Sequence, residues 1–407
     1  MLYTLFIYLY ALGIALVSPF HKKARLMFRG RIDTFRRLRK EIDPTARYVW
    51  FHAASLGEFE QGRPLMERMR RLHPEYKILL TFFSPSGYEV RKNYTGADVI
   101  CYLPMDTPGN VASFFRLVKP EMAFFIKYEF WLNYIMACHY KKIPVYSVSS
   151  IFRKNKIFFR WYGWGYAHVL KWVSHFFVQD EESARLLGTL GIDNVTIVGD
   201  TRFDRVLDIC RQARPLPLVQ KFAEQASIVF VAGSSWPVDE EFIIPYFNAH
   251  PFMKLILAPH VIDEMHLRQI ESRLKRPSLR YSAATDENIS QADCLIVDCY
   301  GLLSSIYRYG HVAYVGGGFG AGIHNVPEAA VYGIPVLIGP NNKGFREAQD
   351  LLRLGGCFEI TGQTLFNALL DRFLPKKNYL AQRGAICSKY IESNAGATEQ
   401  IFNVLAL

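Results

Sequence analysis

The chain has 407 residues, half of them hydrophobic, and a formal net charge of +11. This length exceeds one ordinary hydrophobic core and predicts two domains of about 150–200 residues each. The seven cysteines are scattered and contain no Cys-x-x-Cys pair. Their pattern indicates reduced thiols in a cytosolic environment and argues against a disulfide scaffold or a zinc site.

The excess positive charge lies entirely in the first half of the chain. Residues 1–200 contain 28 Lys and Arg against 17 Asp and Glu, whereas the remaining residues contain 20 of each kind. A basic half predicts an acidic partner, such as phospholipid, a phosphorylated lipid or nucleic acid.

Residues 1–20 form an apolar, uncharged segment, which predicts a membrane-associated helix. Nine basic residues and one acid fill positions 21–40, so the positive charges follow the apolar run, unlike those of a secretory signal. About 20 apolar residues can span a bilayer core, and the positive-inside tendency then leaves residues 21–407 in the cytoplasm. A buried core helix is the alternative, and spanning and interfacial placements both stay open.

A second stretch combines basic and aromatic residues. Residues 130–179 contain no Asp or Glu, and residues 151–179 include Phe158, Tyr162 and Trp164 among several aromatic side chains. This mixture suits the lipid headgroup zone, and it also suits single-stranded RNA or an ordinary helix with an aromatic core face. All three interpretations stay open.

Short apolar, β-branched runs alternate with amphipathic stretches, which predicts parallel sheets with helices on both faces. We predict an α/β protein of two Rossmann-like domains that face each other across a cleft. Ligands of such sheets bind at the carboxyl ends of the strands, and the best linker is the Pro-containing stretch 211–220. The predicted parts are an N-terminal membrane-anchor helix (1–20), a first domain (21–210), a second domain (211–375) and a final helical region (376–407) that could pack back on the first domain. The predicted strands are 48–52, 77–83, 99–103, 122–126, 145–148, 175–178 and 195–198, followed by 228–232, 254–258, 295–297, 312–315, 335–338 and 358–360.

Two carboxylates follow strands of the first predicted domain. Glu58 ends the sequence HAASLGE (52–58) at the start of a helix, where it could accept a proton from a substrate hydroxyl or simply favour the helix dipole. Glu129 lies in KYEFWLN (127–133) at the same edge of the sheet. It could serve as a second functional carboxylate, or it could form an ion pair with Lys127 or another cation.

The Gly-rich segment GGGFGAGIHNVPEAA (316–330) is the strongest signal in the second predicted domain. It follows strand 312–315 and leads into a helix, an arrangement whose backbone N–H groups bind phosphate. Glu328 lies one turn into that helix, where a carboxylate can hold ribose hydroxyls. The segment is neither a P-loop nor a dinucleotide fingerprint in its usual setting. Weaker candidate loops follow strands at 233–236 and 339–345.

Several kinds of catalytic motif are absent from the sequence. It contains no His-Glu-x-x-His, no paired Cys/His cluster, no Gly-x-Ser-x-Gly nucleophile elbow and no Asp-x-Asp element. We therefore expect no metal site and no cofactor.

Together these segments resemble, in order and over nearly the whole chain, the Kdo (3-deoxy-D-manno-octulosonic acid) transferases of lipopolysaccharide synthesis. The ordered set is specific, although each segment alone is modest. The resemblance is carried by the apolar start, HAASLGE (52–58), KYEFWLN (127–133), GDTRFD (199–204), AGSSWPVDEE (232–241), the Gly-rich segment and GPNNKGFREAQDL (339–351).

The resemblance implies a GT-B fold whose first domain takes a lipid acceptor and whose second takes CMP-Kdo. By matching position, Glu58 resembles the family's catalytic base and Glu129 its second essential carboxylate. The chain departs from the family pattern at 259–264 and 298–303, so no role is carried onto Val261 or Leu302. The donor-binding residues implied are Gly233, Ser234, Ser235, Gly317, Gly318, His324, Asn325 and Glu328.

The implied reaction is inverting, metal-independent transfer of Kdo from CMP-Kdo to lipid IVA at the cytoplasmic face of the bacterial inner membrane. Its partners would be these two substrates and membrane phospholipid, with no nucleic acid. Two alternatives stay open: a GT-B transferase that uses another nucleotide sugar, such as a UDP-hexosamine, on a lipid, and a non-catalytic membrane-surface binding protein.

Overall fold

The computed structural model describes residues 2–213, 215–224, 226–373 and 376–407, without the side chains of Tyr162, Trp164 and Lys377. Met1 of the predicted anchor, Arg214 of the predicted linker and Pro375 at the predicted domain end therefore lie outside the described residues. The chain divides into two compact units. The first comprises Met1–Arg205 and Ala395–Leu407, and the second comprises Val206–Asn394.

Each unit contains one parallel sheet, which confirms the predicted α/β class with two Rossmann-like domains. In the described part of the first unit the strand order is β3-β2-β1-β4-β5-β6-β7, and in that of the second it is β10-β11-β9-β8-β12-β13-β14. The strands are β1 Arg47–Ala53, β2 Tyr76–Phe82, β3 Val99–Tyr102, β4 Pro120–Ile126, β5 Val145–Ser150, β6 His175–Val178, β7 Val195–Ile197, β8 Ile228–Ser235, β9 Met253–Pro259, β10 Ser278–Arg280, β11 Cys294–Ile296, β12 Val312–Val315, β13 Val336–Ile338 and β14 Cys357–Glu359.

Helices connect the strands, as parallel pairing requires. They are α1 Leu2–Val17, α2 Lys22–Glu41, α3 Leu56–Leu72, α4 Pro85–Arg91, α5 Pro108–Leu117, α6 Leu132–Tyr140, α7 Trp164–Leu170, α8 Glu181–Gly188, α9 Arg202–Gln212, α10 Pro217–Glu224, α11 Pro237–Ala249, α12 Glu264–Arg273, α13 Leu303–Ile306, α14 Val326–Ala330, α15 Arg346–Leu354, α16 Gln363–Phe373, α17 Lys377–Asn394 and α18 Ala397–Leu405.

Every predicted strand is present, but the short edge strand β10 was missed. It reads Ser-Leu-Arg, is partly exposed, and pairs only with β11 among the described residues. Such a segment has neither the apolar run of a central strand nor a length that shows alternation. The central strands were predictable because their side chains are buried on both faces, as in β4 and β9.

The first unit buries aromatic side chains on both faces of its sheet. On one face Trp50 packs against Phe114, Phe125 and Tyr134 with ring centroids 5.0–5.5 Å apart. Such pairs add to the free energy of burial through edge-to-face geometry. On the other face Phe51 stacks on Phe124, with centroids 4.8 Å apart. The core of the first unit therefore holds β1 and β4, the strands that precede Glu58 and Glu129, rigidly side by side.

The last helix, α18, returns to the first unit. Asp204, at the end of the GDTRFD motif, accepts the N–H groups of Gly396 (2.5 Å) and Thr398 (2.6 Å) at the start of α18. Ile401 and Phe402 of this helix are buried in the same core cluster as Phe51 and Phe59. The carboxylate thus caps α18 and fixes it to the first unit.

The predicted membrane-anchor segment is folded as α1, which turns sharply into α2. In the described part of the chain, no single helix is long and apolar enough to cross a bilayer, and α1 with α2 passes that test only as a pair bent by 117°. Side chains on the outside of α1 are largely exposed, among them Leu2 (74%), Phe6 (67%) and Leu16 (66%). Ile7 and Ile14 are buried instead.

We predict that Asp204→Ala loosens α18. Losing this cap should lower the free energy of unfolding by about 1–2 kcal/mol and should speed proteolysis near residue 396. Chemical denaturation and limited proteolysis measure the two effects. Asp193→Ala, at an exposed aspartate of the same unit, is the control; equal behaviour of the two variants would contradict the capping role.

Candidate functional site

Glu58 lies at the carboxyl edge of the first sheet, directly after β1. Ser55 is the N-cap of α3, and its hydroxyl donates a hydrogen bond to the Glu58 carboxylate, which lies in the first turn of the helix. The side chain is partly exposed. It is also close enough to Tyr128 for its negative charge to help burial raise the pKa of that phenol. Glu58 is therefore accessible to a ligand and lies near the segment that carries Glu129.

Glu129 follows β4, the strand that pairs with β1 in parallel. Its Oε2 accepts a hydrogen bond from Trp131 Nε1 (2.9 Å) and lies 3.3 Å from His52 Nε2. The carboxylate side chain is only 15% exposed. Among the described residues Glu129 forms no ion pair with Lys127. Its neighbours are the His52 imidazole, which is a cationic partner only when protonated, and the Trp131 indole.

The position of the protons on His52 follows from its neighbours. Thr81 Oγ1 donates to Phe51 O and accepts from Trp50 Nε1 (2.8 Å), so His52 Nδ1, 2.9 Å away, must donate to it. His52 Nε2 then either accepts from Trp131 Nε1 (3.0 Å) or, when protonated, donates to Glu129. The buried imidazole is therefore held between Thr81 on one side and Trp131 and Glu129 on the other.

The backbone around this edge adopts unusual conformations. Lys127 (φ 61°) and Ser149 (φ 52°) both occupy the left-handed region, which costs energy for residues other than glycine. Ser150 Oγ donates to Lys127 O (3.0 Å), and Gln179 Nε2 donates to Ser149 O (3.0 Å), so side chains from β5 and after β6 hold both turns. Non-glycine residues with positive φ cluster at functional sites.

The GDTRFD motif braces the helix that carries Glu58. Thr201 Oγ1 donates to Gln61 O of α3 (2.6 Å), and Gln61 Nε2 donates to the buried Asp200 (3.0 Å). Neighbouring Arg202 holds the pKa of Asp200 below its usual value in spite of burial. In this structure the motif therefore has a structural role, since its side chains hold α3 and α18 in position.

In the second unit, the carboxyl end of β8 and the loops after β12 and β13 lie against one another. Residues 233–235, predicted as part of a loop, belong to β8 because the strand continues past residue 232 and pairs with β9 as far as Ser235. A Cβ at Gly316 would lie 2.1 Å from Ser234 O, and one at Gly318 would lie 2.6 Å from Gly339 Cα. Ser234 itself has φ 53°. These positions require glycine because the backbones approach too closely for any side chain. Gly233, Ser234, Gly317 and Gly318, all predicted, are thereby brought together at one edge.

The amides of the Gly-rich loop are mostly used inside the protein. Gly320 N and Gly322 N donate to Gly317 O, His324 N donates to Gly316 O, and Gly317 N donates to Asp239. Fewer backbone N–H groups of this loop are therefore left to bind a phosphate than the sequence predicted. These internal bonds fix the shape of the loop, and Asn325 lies exposed at its end.

Asp239 ties two of the loops together. Its buried carboxylate accepts the Tyr314 hydroxyl (2.6 Å), Trp236 N (2.9 Å) and Gly317 N (3.3 Å). Burial raises the pKa of Asp239, and the three bonds oppose that rise. The sequence did not indicate this role, because Tyr314 and Gly317 lie 75 and 78 residues away along the chain.

Three rings form a stack beside these loops. Trp236 stacks on His260 (centroids 4.8 Å apart), and His260 stacks on the predicted residue His324 (4.2 Å). Trp236 Nε1 also donates to His324 Nε2 (3.2 Å). Burial and the neighbouring His260 lower the pKa of His324 to about 4, so this imidazole is neutral at pH 7. His260 was not among the predicted site residues, and Trp236 was predicted only as part of the candidate loop 233–236.

Asn325 and Glu328 form a pair at the start of α14. Asn325 Nδ2 donates to Glu328 Oε1 (2.8 Å), and Asn325 is exposed. Their side chains lie at the end of the Gly-rich loop, as predicted. The paired amide and carboxylate offer both donors and acceptors to a polar ligand.

Ser235, the remaining residue that was predicted to bind the sugar donor, is fully buried. Its hydroxyl donates to Glu240 (2.9 Å), whose other oxygen lies 2.9 Å from His266 Nε2. His266 Nδ1 donates a hydrogen bond to Val261 O (3.2 Å), since only an N–H can form a hydrogen bond with a carbonyl oxygen. Ser235 therefore belongs to a buried polar network, and Ser234 is the more accessible of the two serines.

Segments 259–264 and 298–303, where the chain departs from the family pattern, also make structural contacts. Asp298 accepts Ser282 N (2.9 Å), and the Tyr300 hydroxyl accepts Ile262 N (3.3 Å). Within the described residues there is no group of three or more His, Cys, Asp and Glu arranged to hold a metal ion.

We predict that Gly318→Ala destabilises the second unit, whereas Gly320→Ala does not. The added methyl at 318 would meet Gly339 backbone at 2.6–2.8 Å, while at 320 the nearest atom is 3.7 Å away. Overpacking of this kind costs about 1–3 kcal/mol. Thermal and chemical denaturation of both variants measure the difference, and equal stabilities would refute the close packing of the two loops.

We predict that His324 contributes a stability that rises with pH. Its folded pKa of about 4 lies below the ordinary 6.5, so the unfolded chain binds more protons between these values. The free energy of unfolding therefore increases from pH 4 to pH 6.5 through this residue. His324→Phe should flatten this part of the profile, and an NMR titration midpoint for His324 at or above 6.5 would contradict the prediction.

Comparisons with known proteins agree with the resemblance found in the sequence. Residues 27–205 match the model of a family described as 3-deoxy-D-manno-octulosonic-acid transferase (kdotransferase). A 3-deoxy-D-manno-octulosonic acid transferase of Aquifex aeolicus is 28% identical over 338 residues, which cover 81% of this chain and 86% of the relative. One of Haemophilus influenzae is 24% identical, with coverage of 89% and 87%.

Solved structures resemble the fold of the whole chain. The UDP-GlcNAc 2-epimerase of Neisseria meningitidis superposes with a TM-score of 0.62 at 14% identity and covers 88% of this chain and 99% of its own. MurG of Acinetobacter baumannii gives a TM-score of 0.56 at 10% identity, with the same coverage. At such identities the likeness concerns the fold alone, and it confirms the predicted GT-B class.

Proposed function

Because this chain belongs to the family of 3-deoxy-D-manno-octulosonic acid (Kdo) transferases, we propose that it transfers Kdo from CMP-Kdo to lipid IVA. The product would enter lipopolysaccharide synthesis. The proposed reaction is inverting and requires neither a metal ion nor a cofactor. Both CMP as the nucleotide of the donor and lipid IVA as the acceptor are part of what we propose.

The observation that carries the proposal is the pairing of two carboxylates at one sheet edge. Glu58 and Glu129 follow β1 and β4, which are hydrogen-bonded neighbours in the unit that the family model matches. Glu58 lies in the first turn of α3 and is partly exposed, which suits a base that must reach a substrate proton. Glu129 is held by His52 and Trp131, which suits a carboxylate that orders the site.

The proposed step is a single displacement. Glu58 takes the proton of the acceptor hydroxyl, and that oxygen forms a bond with the anomeric carbon of Kdo. The bond between this carbon and the phosphate oxygen of CMP breaks on the opposite side, and the electron pair leaves with CMP. The configuration at the anomeric carbon is thereby inverted, and one proton remains on Glu58 until solvent removes it.

The donor would bind the second unit, at the edge formed by the carboxyl end of β8 and the loops after β12 and β13. Asn325, Glu328 and Ser234 supply polar groups there, and neutral His324 adds a ring nitrogen that needs no counterion. We assign the leaving phosphate to the neighbourhood of Asn325 and Ser234. Gly317 and Gly318 would serve by keeping this edge free of side chains, and Ser235 by bracing it from below.

The acceptor would bind the basic first unit at the cytoplasmic face of the bacterial inner membrane. The apolar outer side of α1 supports contact with acyl chains, and the basic residues of α2 support contact with anionic headgroups. A phosphorylated lipid such as lipid IVA carries both chemical features.

We predict that Glu58→Gln abolishes Kdo transfer while leaving CMP binding unchanged. The amide cannot accept the proton, so kcat should fall by about 10²–10⁴-fold. Lipid IVA, freshly generated CMP-Kdo and EDTA are incubated with the full chain, and the mass of the lipid is measured. Calorimetry with CMP reports donor binding separately.

Glu67→Gln is the matched control because Glu67 lies on the same helix and pairs only with arginines among its described partners. It should transfer Kdo normally. Retained transfer in Glu58→Gln would overturn the assignment of the base. No transfer by the unaltered chain, combined with turnover of a UDP-hexosamine, would overturn the proposed function.

A further inference from the structure

One face of α1 packs on the part of the first unit that carries Glu129. Tyr3, Ile7, Tyr10 and Ile14 follow at intervals of four, three and four residues, which place them on the same side of a helix. Ile7 and Ile14 are buried, and the two tyrosines reach beyond them. Each tyrosine begins a separate chain of contacts that ends at the segment between β4 and α6, residues 127–131.

The first chain of contacts runs through a buried carboxylate. The Tyr3 hydroxyl donates to Asp106 Oδ2 (2.6 Å), and Asp106 is 1% exposed. Asp106 also accepts Asn133 N and Tyr134 N, each at 3.1 Å, at the start of α6. Tyr3 therefore completes the set of donors that holds the beginning of α6 in place.

Tyr3 also reaches the peptide next to Glu129. Its ring lies 5.7 Å from the ring of Tyr166, whose hydroxyl donates to Phe130 O (2.5 Å). Asp106 and Tyr166 thus hold opposite ends of the same short stretch, and Tyr3 touches both. A shift of α1 would remove the contacts that Tyr3 makes with both of these supporting residues.

The second chain of contacts runs through stacked rings. Tyr10 stacks on Phe83 with centroids 6.2 Å apart, and Phe83 stacks on Trp131 at 4.7 Å. Trp131 Nε1 then donates to Glu129 Oε2 at 2.9 Å. Arg31 of α2 lies over Phe83 and donates to Phe83 O (2.8 Å), so α2 fixes the middle of this stack.

The segment itself has little backbone structure to fix its shape. Its internal bonds are the tight turns Phe130 N to Tyr128 O (2.8 Å) and Trp131 N to Glu129 O (3.2 Å). Lys127 adds a left-handed conformation at its start. Tertiary contacts must therefore decide where the Glu129 carboxylate points.

We propose that α1 positions Glu129, with Tyr3 and Tyr10 as positioning residues for the transfer reaction. The inference rests on the proposed function, since it assigns a use to the Glu129 carboxylate. Attachment of α1 to the first unit and the orientation of that carboxylate form one cooperative arrangement. Helix α1 then contributes to kcat in addition to any contribution it makes to placing the protein at the membrane.

The test compares matched variants of the full chain in detergent, with saturating donor and acceptor. Tyr3→Phe keeps the ring but removes the bond to Asp106, and Tyr10→Leu removes the stack on Phe83. The kcat should fall about tenfold in the first, since the lost bond is to a charged group, and about three- to tenfold in the second. The KM for CMP-Kdo should not change.

Tyr8 provides the controls because it lies on the same helix and is 54% exposed, close to the 46% of Tyr10. Tyr8→Phe and Tyr8→Leu lose the same groups at the outer surface and should stay within about twofold of the unaltered chain. Tyr10→Phe preserves the stack and should restore kcat. Sedimentation with phosphatidylglycerol vesicles should be equal for Tyr8→Leu and Tyr10→Leu.

Hydrogen exchange at the start of α6 gives a second measurement that does not depend on the reaction. The amides of Asn133 and Tyr134 should exchange at least about fivefold faster in Tyr3→Phe than in Tyr8→Phe, since one donor to Asp106 is lost. If the unaltered chain transfers no Kdo, the proposed function fails and these rates alone decide whether α1 braces the segment. Normal kcat in Tyr3→Phe and Tyr10→Leu, beside a loss in Glu129→Gln, overturns the proposal, as do unchanged exchange rates.

Discussion

In each unit a buried aspartate holds the loops at the carboxyl edge of the sheet. Asp106 accepts the hydroxyl of Tyr3 and the amides of Asn133 and Tyr134, and Asp239 accepts one tyrosine hydroxyl and two amides in the same way. A buried charge is tolerated only when it is fully hydrogen-bonded. These loops therefore cannot shift without leaving a carboxylate unpaired, and that constraint gives the candidate site its shape.

The carboxylates of the first unit divide their roles according to burial. Asp106 and Asp200 are almost completely buried and hold backbone or side-chain donors. Glu58 and Glu129 are both partly exposed, and Glu129 rests against His52 and Trp131. Burial raises the pKa of Asp106 to about 6. The groups most suited to chemistry are those that the fold leaves accessible, and the buried ones keep them in place.

Helix α1 has two faces with different consequences. Its outer side chains are apolar and exposed, which suits a lipid environment, while Tyr3 and the partly covered ring of Tyr10 contact Asp106 and Phe83. Helix α1 therefore joins an exposed apolar surface to the residues that contact the segment carrying Glu129. The basic α2 continues from it, and Arg31 joins the same group of contacts.

The sequence by itself determined the strands other than β10, the two sheets and the edges where ligands should bind. These features depend on local properties, namely apolar runs, turn residues and the rule that parallel strands end together. It also indicated Glu58, Glu129 and the Gly-rich loop, since each follows a strand directly. Only the tertiary structure decided their partners, because His52 and Glu129 are 77 residues apart, Tyr314 and Asp239 are 75 apart, and Tyr3 and Asp106 are 103 apart. Hydrogen bonds over such separations leave no periodic pattern in a single sequence, so the residues that order the site became visible only once the chain was folded.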